Sequence, residues 1–253
     1  MTALLSLRAI SKRYGAVEAL AGIDLDIHAG EVVAICGDNG AGKSSLIKVM
    51  SGAEAPSAGS LVLDGVVQRF ASPADALARG IATIYQHLAL APRLSIAENV
   101  FMGAELTRTL LPGVAILDKR AMRASARAYL ARLAISIDDM RRPVERLSGG
   151  QRQAVAIARA LRWNARIVIL DEPTAALGVK ETAVVLGLVR KLTEEGRTVV
   201  LISHAMADVV AVASRVVILK LGSKIVDRQL GDLTAPALAE MIVAGRESVR
   251  KPG

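Results

Sequence analysis

Lys43 and Ser44 stand near the end of a glycine-rich run, Gly37, Asp38, Asn39, Gly40, Ala41, Gly42, Lys43, Ser44 and Ser45, which reads GDNGAGKSS. The apolar stretch Val32 to Cys36 precedes it, and Leu46, Ile47, Lys48, Val49 and Met50 follow. That is a strand, a turn and a helix start, the context in which such a run cradles phosphate. Gly37, Gly40 and Gly42 let the backbone turn tightly, so successive N–H groups approach an anion where side chains would intrude. The helix then points its positive dipole end at the same anion. Lys43 supplies a mobile charge for the β- and γ-phosphates of a nucleotide, and Ser44 a hydroxyl for Mg²⁺. The run predicts nucleotide binding.

Phosphoryl chemistry at such a loop also needs an acid for the metal and a group that handles water. Ile167 to Leu170 is a continuous apolar strand ending in Asp171 and Glu172, at the edge where ligands of parallel sheets bind. Asp171 is expected to hold Mg²⁺ through water, and Glu172 to orient or deprotonate the attacking water. A third run, Leu147 to Gln153, reads LSGGQRQ. Ser148 is a good N-cap, and Gly149 and Gly150 would leave amides open, which predicts a second anion-binding helix start.

The elements that must position these residues follow from periodicity. Leu4 to Ile10, Ile23 to Ile27 and Ser60 to Leu63 read as strands, as does Ile81 to Tyr85. Beyond that, Met122, Ala126, Tyr129, Leu130 and Leu133 share one helical face, which predicts a helical insert rather than more sheet. From Ser148 onward helices and apolar strands alternate: Val155 to Leu161, Ile167 to Leu170, Val185 to Leu192, Thr198 to Ile202, Met206 to Ala213 and Val216 to Leu219. That alternation predicts a parallel sheet covered on both faces. The residues after Asp227 are too few for a second domain.

Composition sets the outer bounds. The 253 residues are 52% hydrophobic, enough for a proper core. Mean hydropathy is +0.40, yet no run reaches the about 18 apolar residues of a spanning helix; Val199 to Leu219 is broken by His204, Asp208 and Arg215. Met1 to Ile10 lacks the pattern of a secretion signal, so a soluble, cytosolic chain is expected. A single cysteine, Cys36, excludes an internal disulfide framework and reads as a buried apolar residue. The net charge of +8 is scattered, and the six aromatic residues provide few stacking platforms, which argues against a nucleic-acid partner.

The string LSGGQ, with the P-loop before it and ILDEP after it, resembles the ATP-binding cassette of ABC transporters over nearly the whole chain. The resemblance implies an α/β fold of the P-loop NTPase (RecA-like) type, with an N-terminal antiparallel β part and an inserted helical subdomain. It implies one domain over 1–253, with a catalytic core of 1–86 and 147–253 and a helical subdomain of about 87–146. Tyr14, in SKRYG, sits where the family stacks an aromatic ring on adenine. Gln86 matches the glutamine that contacts the metal and moves with the membrane subunit, and His204, in LISHAMAD, matches the switch histidine at the γ-phosphate. His28 and His87 match nothing and read as structural or exposed. Ser148, Gly149, Gly150 and Gln151 would act on the ATP of a second subunit, so the working unit would be a head-to-tail homodimer with ATP and Mg²⁺ in two composite sites. One departure stands out: Ala175, Ala176, Leu177 and Gly178 occupy the D-loop, where SALD is usual. Gly178 for the acid would weaken or reroute that loop's contact across the dimer.

The segment from Gln68 to Gly103, and TAALGVKET with its Gly178, resemble importers of the ribose, xylose and fructose group, many of whose ATPases are two cassettes in tandem. The resemblance implies a peripheral subunit on the cytoplasmic face of the cell membrane. Its partners would be integral permease subunits and, indirectly, a periplasmic or extracytoplasmic solute-binding protein. Ile96, Phe101 and Met102 are candidates for the groove that takes the membrane subunit, with core packing as the plainer reading of each. The alternatives are a soluble cassette clamp on nucleic acid or ribosomes, and an importer ATPase for a solute other than sugar.

Overall fold

Scattered charges do not stop a strand that has a solvent face, and the chain begins with such a hairpin. The computed structural model describes residues 3–245. β1 (Leu5–Tyr14) and β2 (Val17–Ile27) pair, and β3 (Val32–Cys36), the glycine-rich turn and α1 (Lys43–Met50) follow. β4 (Ala58–Leu63) and β5 (Val66–Gln68) complete an antiparallel sheet of order β2-β1-β4-β5. The chain continues through α2 (Pro73–Ala78), β6 (Ile81–Ile84), α3 (Ile96–Phe101), β7 (Thr107–Leu111), β8 (Val114–Leu117) and α4 (Lys119–Arg132). It then alternates through α5 (Gly149–Arg162), β9 (Ile167–Asp171), α6 (Val179–Glu194), β10 (Thr198–Ile202), α7 (Met206–Val212) and β11 (Arg215–Lys220). β12 (Ser223–Gln229) and α8 (Ala235–Ala244) close the described chain.

The main sheet has the order β12-β11-β3-β10-β9-β6. β6, β9, β10, β3 and β11 are parallel, and β12 runs antiparallel to β11. Successive residues of its strands enter opposite cores because strand side chains alternate. Val168, Leu170, Val199 and Leu201 pack under α3, α4, α5 and α6. Ile167, Ile169, Val200 and Ile202 pack with α1 and the antiparallel sheet. A smaller core joins Ala34, Cys36, Val216 and Ile218 to α7 and α8. This is the predicted covered parallel sheet.

Several details differ from the sequence expectations, among them β5, α2 and the start of β2 at Val17. β1 runs past Ile10 to Tyr14, because its pairing with β2 absorbs register shifts between Leu7 and Arg13, beside a positive φ of 47° at Ala9. The insert is not purely helical: between α3 and α4 it carries the β7–β8 hairpin, whose residues are nearly all exposed and give no core-facing alternation to detect. β12 is not legible because the short SKIVDRQ run mixes charges into a half-buried edge strand, and α8 follows it beyond the last expected strand.

The antiparallel sheet is tied to the main one by Arg215. Its guanidinium pairs with Asp227 at 2.7 Å and Glu31 at 3.3 Å, and donates to the Asp26 carbonyl at 2.8 Å. These groups are largely buried. Arg215→Ala would leave Glu31 without a cation and Asp227 with Lys224 alone, so a stability loss of about 2–3 kcal/mol is expected, read from urea unfolding.

Candidate functional site

β3, β10 and β9 lie side by side and parallel, with Ile202 in register with both Ile35 and Asp171. Their C-terminal ends therefore bring the P-loop, His204 and the Asp171–Glu172 pair to one edge of the sheet.

The loop's glycines are required by space as well as by backbone angle. Gly37 has φ +149°, and a Cβ there would strike the Leu219 carbonyl. Gly42 has φ +104°, and a Cβ would lie 2.6 Å from the Ala19 carbonyl oxygen. The loop is also pinned by the Gly222 amide, which donates to the Ala41 carbonyl at 3.1 Å. Lys43 folds over its own turn, its Nζ donating to the carbonyls of Gly37 at 2.6 Å and Asp38 at 2.9 Å. α2, α3, α4, α5 and α8 each carry a side-chain N-cap, from Ser72, Ser95, Asp118, Ser148 and Thr234. α1 has none, and no acid in its first turn. Its N-terminal amides are thus left to an external anion. Asp38, Asn39, Gly40 and Ser44 are exposed around that opening, Ser45 is half-buried and Ala41 is buried.

Glu172 takes a left-handed backbone, φ +48°, with its amide donating to the Ile202 carbonyl at 2.9 Å. The turn directs its carboxylate to His204, whose Nδ1 lies 2.7 Å from Oε2, and the His204 amide donates to the same oxygen at 3.4 Å. Glu172 is mostly buried and His204 is exposed, so the carboxylate has a solvent-side partner and a shielded position. Asp171 is held above the usual aspartate range, first by burial and then by the charge of Glu172, with Lys43 opposing both. Burial pushes the Cys36 thiol up to about 12, which keeps it inert beside the loop.

The oxygen donors of Ser44, Gln86 and Asp171 are the hard type that Mg²⁺ takes. Asp171 and Glu172 are adjacent, half-buried carboxylates whose mutual repulsion a divalent cation would offset, so the residues present fit that ion. Among the described residues no group of three or more His, Cys, Asp or Glu forms a separate metal cluster.

Gln86 is exposed just after β6 and lines a cleft of about 400 Å³ with Glu172, Gly149, Arg152, Ala175 and Leu177. Arg159 of α5 holds the next segment, donating to the carbonyls of Leu88 and Ala89 at 3.0 Å each. Nothing local in the sequence marks Arg159 for this. Exposed His87 lines the same cleft, while His28 is half-buried with Nδ1 unpaired. Tyr14, at the end of β1, is partly exposed and donates to Glu54 Oε2 at 2.6 Å. Lys12 and Lys48 sit 5.2 and 5.8 Å from its ring centre, and Lys48, on α1, also pairs with Glu54 at 2.9 Å. The ring is therefore held on the flank of the P-loop helix.

Ser148 forms a reciprocal capping box with Gln151: its Oγ accepts from the Gln151 amide at 3.3 Å, and its amide donates to Gln151 Oε1 at 3.1 Å. The expectation that both glycine amides stand open needs correction. The Gly149 amide donates to Glu181 Oε1 at 2.8 Å, because α6 packs close enough to place a carboxylate on this helix end. Glu181 was missed by the sequence reading, although its place three residues after Gly178 is the spacing of a capping box. The groove candidates are also revised. Ile96 and Phe101 are buried in the core, and only Met102 lines an open cleft, with Tyr85 and Trp163. Among the described residues no helix is long and apolar enough to cross a membrane.

The sequence profile of the ABC transporter family matches residues 20–175. The fructose import ATP-binding protein of Rhizobium meliloti is 45% identical over 98% of this chain and 96% of its own. The xylose/arabinose import ATP-binding protein of Sulfolobus acidocaldarius is 43% identical over 96% of this chain and 95% of its own. Among solved structures, the ATP-binding cassette MJ0796, dimeric in a post-hydrolysis state and bound to ADP and Pi, superposes with a TM-score of 0.74 at 28% identity, covering 90% of this chain and 100% of that one. A match of this extent, on a fold that brings the P-loop, the paired carboxylates and the histidine to one sheet edge, makes the chain an ATP-binding cassette of the ABC transporter family.

Proposed function

We propose that the chain hydrolyses ATP to energise import of a monosaccharide of the fructose, ribose and xylose kind. The observation that carries the sugar assignment is the 45% identity, over 98% of the chain, to a fructose import ATP-binding protein. In this reading the chain is one ATPase domain, with 1–86 and 147–253 as catalytic core and 87–146 as the subdomain that meets the permease.

The amides from Gly37 to Ser45 and the Lys43 ammonium bind the β- and γ-phosphates, and Tyr14 offers its ring to adenine. Ser44, Gln86 and Asp171 would hold Mg²⁺, which would supply charge neutralisation on the phosphates. Glu172 orients water or accepts its proton as the water oxygen bonds to the γ-phosphorus and the bond to the β–γ bridging oxygen breaks, releasing ADP. His204 steadies the Glu172 carboxylate and contacts the γ-phosphate. Ser148 to Gln151 act on the nucleotide of a second copy, so the working unit is a homodimer with two composite sites. It sits on the cytoplasmic face of the cell membrane, bound to permease subunits that receive solute from an extracytoplasmic binding protein. ATP favours the closed dimer, and closure shifts the permease from inward-facing to outward-facing by differential affinity.

The test is ATP-driven uptake of pentoses and hexoses into proteoliposomes holding the chain with its membrane partners. Uptake of at least one sugar is expected; uptake of an amino acid instead would overturn the sugar assignment while keeping the ATPase.

A further inference from the structure

Gly178 leaves α6 without a capping side chain at its N-cap, and Glu181, three residues on, supplies a carboxylate there instead. Its Oε2 accepts from the Gly178 amide at 3.4 Å, and its Oε1 accepts from the Gly149 amide at 2.8 Å. One carboxylate thus joins the first turns of α5 and α6, each a site of positive backbone potential. The approach is close. A Cβ on Gly149 would run into the Leu177 side chain and lie 3.3 and 3.4 Å from the two Glu181 oxygens. A Cβ on Gly150 would meet Val184 at 3.3 Å. The paired glycines therefore serve packing against the D-loop and α6 as well as approach to an anion.

We propose that Glu181 is a positioning residue for ATP hydrolysis. It fixes the turn Ser148–Gln151 against the D-loop, so that both face the partner copy's nucleotide as one unit. The role rests on the composite-site reading given above.

An ordinary helix cap would explain the Gly178 bond alone, and the two roles can be separated. Gly178 has φ −74° and ψ 166°, the angles of a capping residue, and a Cβ there meets nothing within 4 Å. Gly178→Ser can therefore cap α6 without touching Gly149 and without adding a charge to the D-loop. In a Glu172→Gln background, the Gly178→Ser/Glu181→Ala pair is expected to melt with its parent and to bind ATP as a monomer with unchanged affinity. Its ATP-driven dimerisation should need at least about tenfold more protein, the cost of one charged hydrogen bond. With Glu172 restored, the same pair should lower kcat by about tenfold with little change in KM. Glu181→Gln keeps an acceptor oxygen for Gly149 and should recover most of that loss. If the double variant dimerises and turns over like its parent, Glu181 is a cap and the proposal is wrong. If the parent itself binds ATP and never dimerises, the composite-site reading fails, and this inference with it.

Discussion

Glu172→Gln is expected to slow ATP hydrolysis by about 10²–10⁴, the range that loss of a positioned general base produces, while nucleotide binding persists. Glutamine keeps the length of the side chain and can still accept from the His204 amide, now 3.4 Å from Oε2, so the turn at φ +48° is held as before. What disappears is the basic carboxylate. The substitution also changes Asp171, whose pKa is raised by burial and by the neighbouring Glu172 charge. The raised pKa means that the fold favours protonated Asp171. This group's contribution to stability is present below its unfolded pKa and declines as pH rises through the higher folded one. On the proposed role of Asp171, Mg²⁺ binding would have the opposite dependence, since it would need the carboxylate and strengthen as Asp171 ionises. Removing the Glu172 charge moves that ionisation to lower pH, so the variant should hold Mg²⁺ and ATP in more acidic solution than the native chain does. Phosphate release assays and Mg²⁺ titrations followed across acidic pH check both halves. Native turnover in the variant would contradict the assignment of Glu172.

Lys43→Ala should weaken ATP binding by roughly 10- to 150-fold, the equivalent of about 1.5–3 kcal/mol for one charged hydrogen bond. In the structure the ammonium is already poised, donating to the Gly37 and Asp38 carbonyls across the mouth of the loop. Its charge also opposes the upward shift of Asp171. Without it Asp171 ionises at still higher pH, and metal binding weakens along with phosphate binding. The loop itself should survive, because Gly37 and Gly42 are seated by backbone contacts with β11 and β2 and Ala41 by the Gly222 amide. Fluorescent-nucleotide titration gives the affinity and thermal unfolding the control. Unchanged affinity would remove Lys43 from the phosphate site.

The clusters that carry chemistry were legible in sequence where the chemistry is local. A strand, a glycine turn and a helix start within one short segment need no distant partner to be recognised, and the same holds for the strand ending in Asp171 and Glu172. The hairpin β7–β8 was not legible, because exposed strands lack the one-sided apolar alternation that burial imposes. The openness of Gly149 was misread for a different reason: a glycine's freedom is visible in sequence, whereas the neighbour that uses it is not.

By itself, then, the sequence determined the phosphate turn, the acidic strand end, the Ser148 helix cap and the alternation of a covered parallel sheet, since each depends on residues within one element or its immediate flank. Tertiary structure alone decided that β10 lies between β3 and β9, which brings His204 within 2.7 Å of Glu172. It also decided that Glu181 closes on Gly149, that Arg215 joins two sheets, and that Ile96 and Phe101 lie inside the core. Strand order and helix packing are settled by which apolar faces bury one another across the whole chain, and side chains far apart in sequence meet only once that competition is resolved.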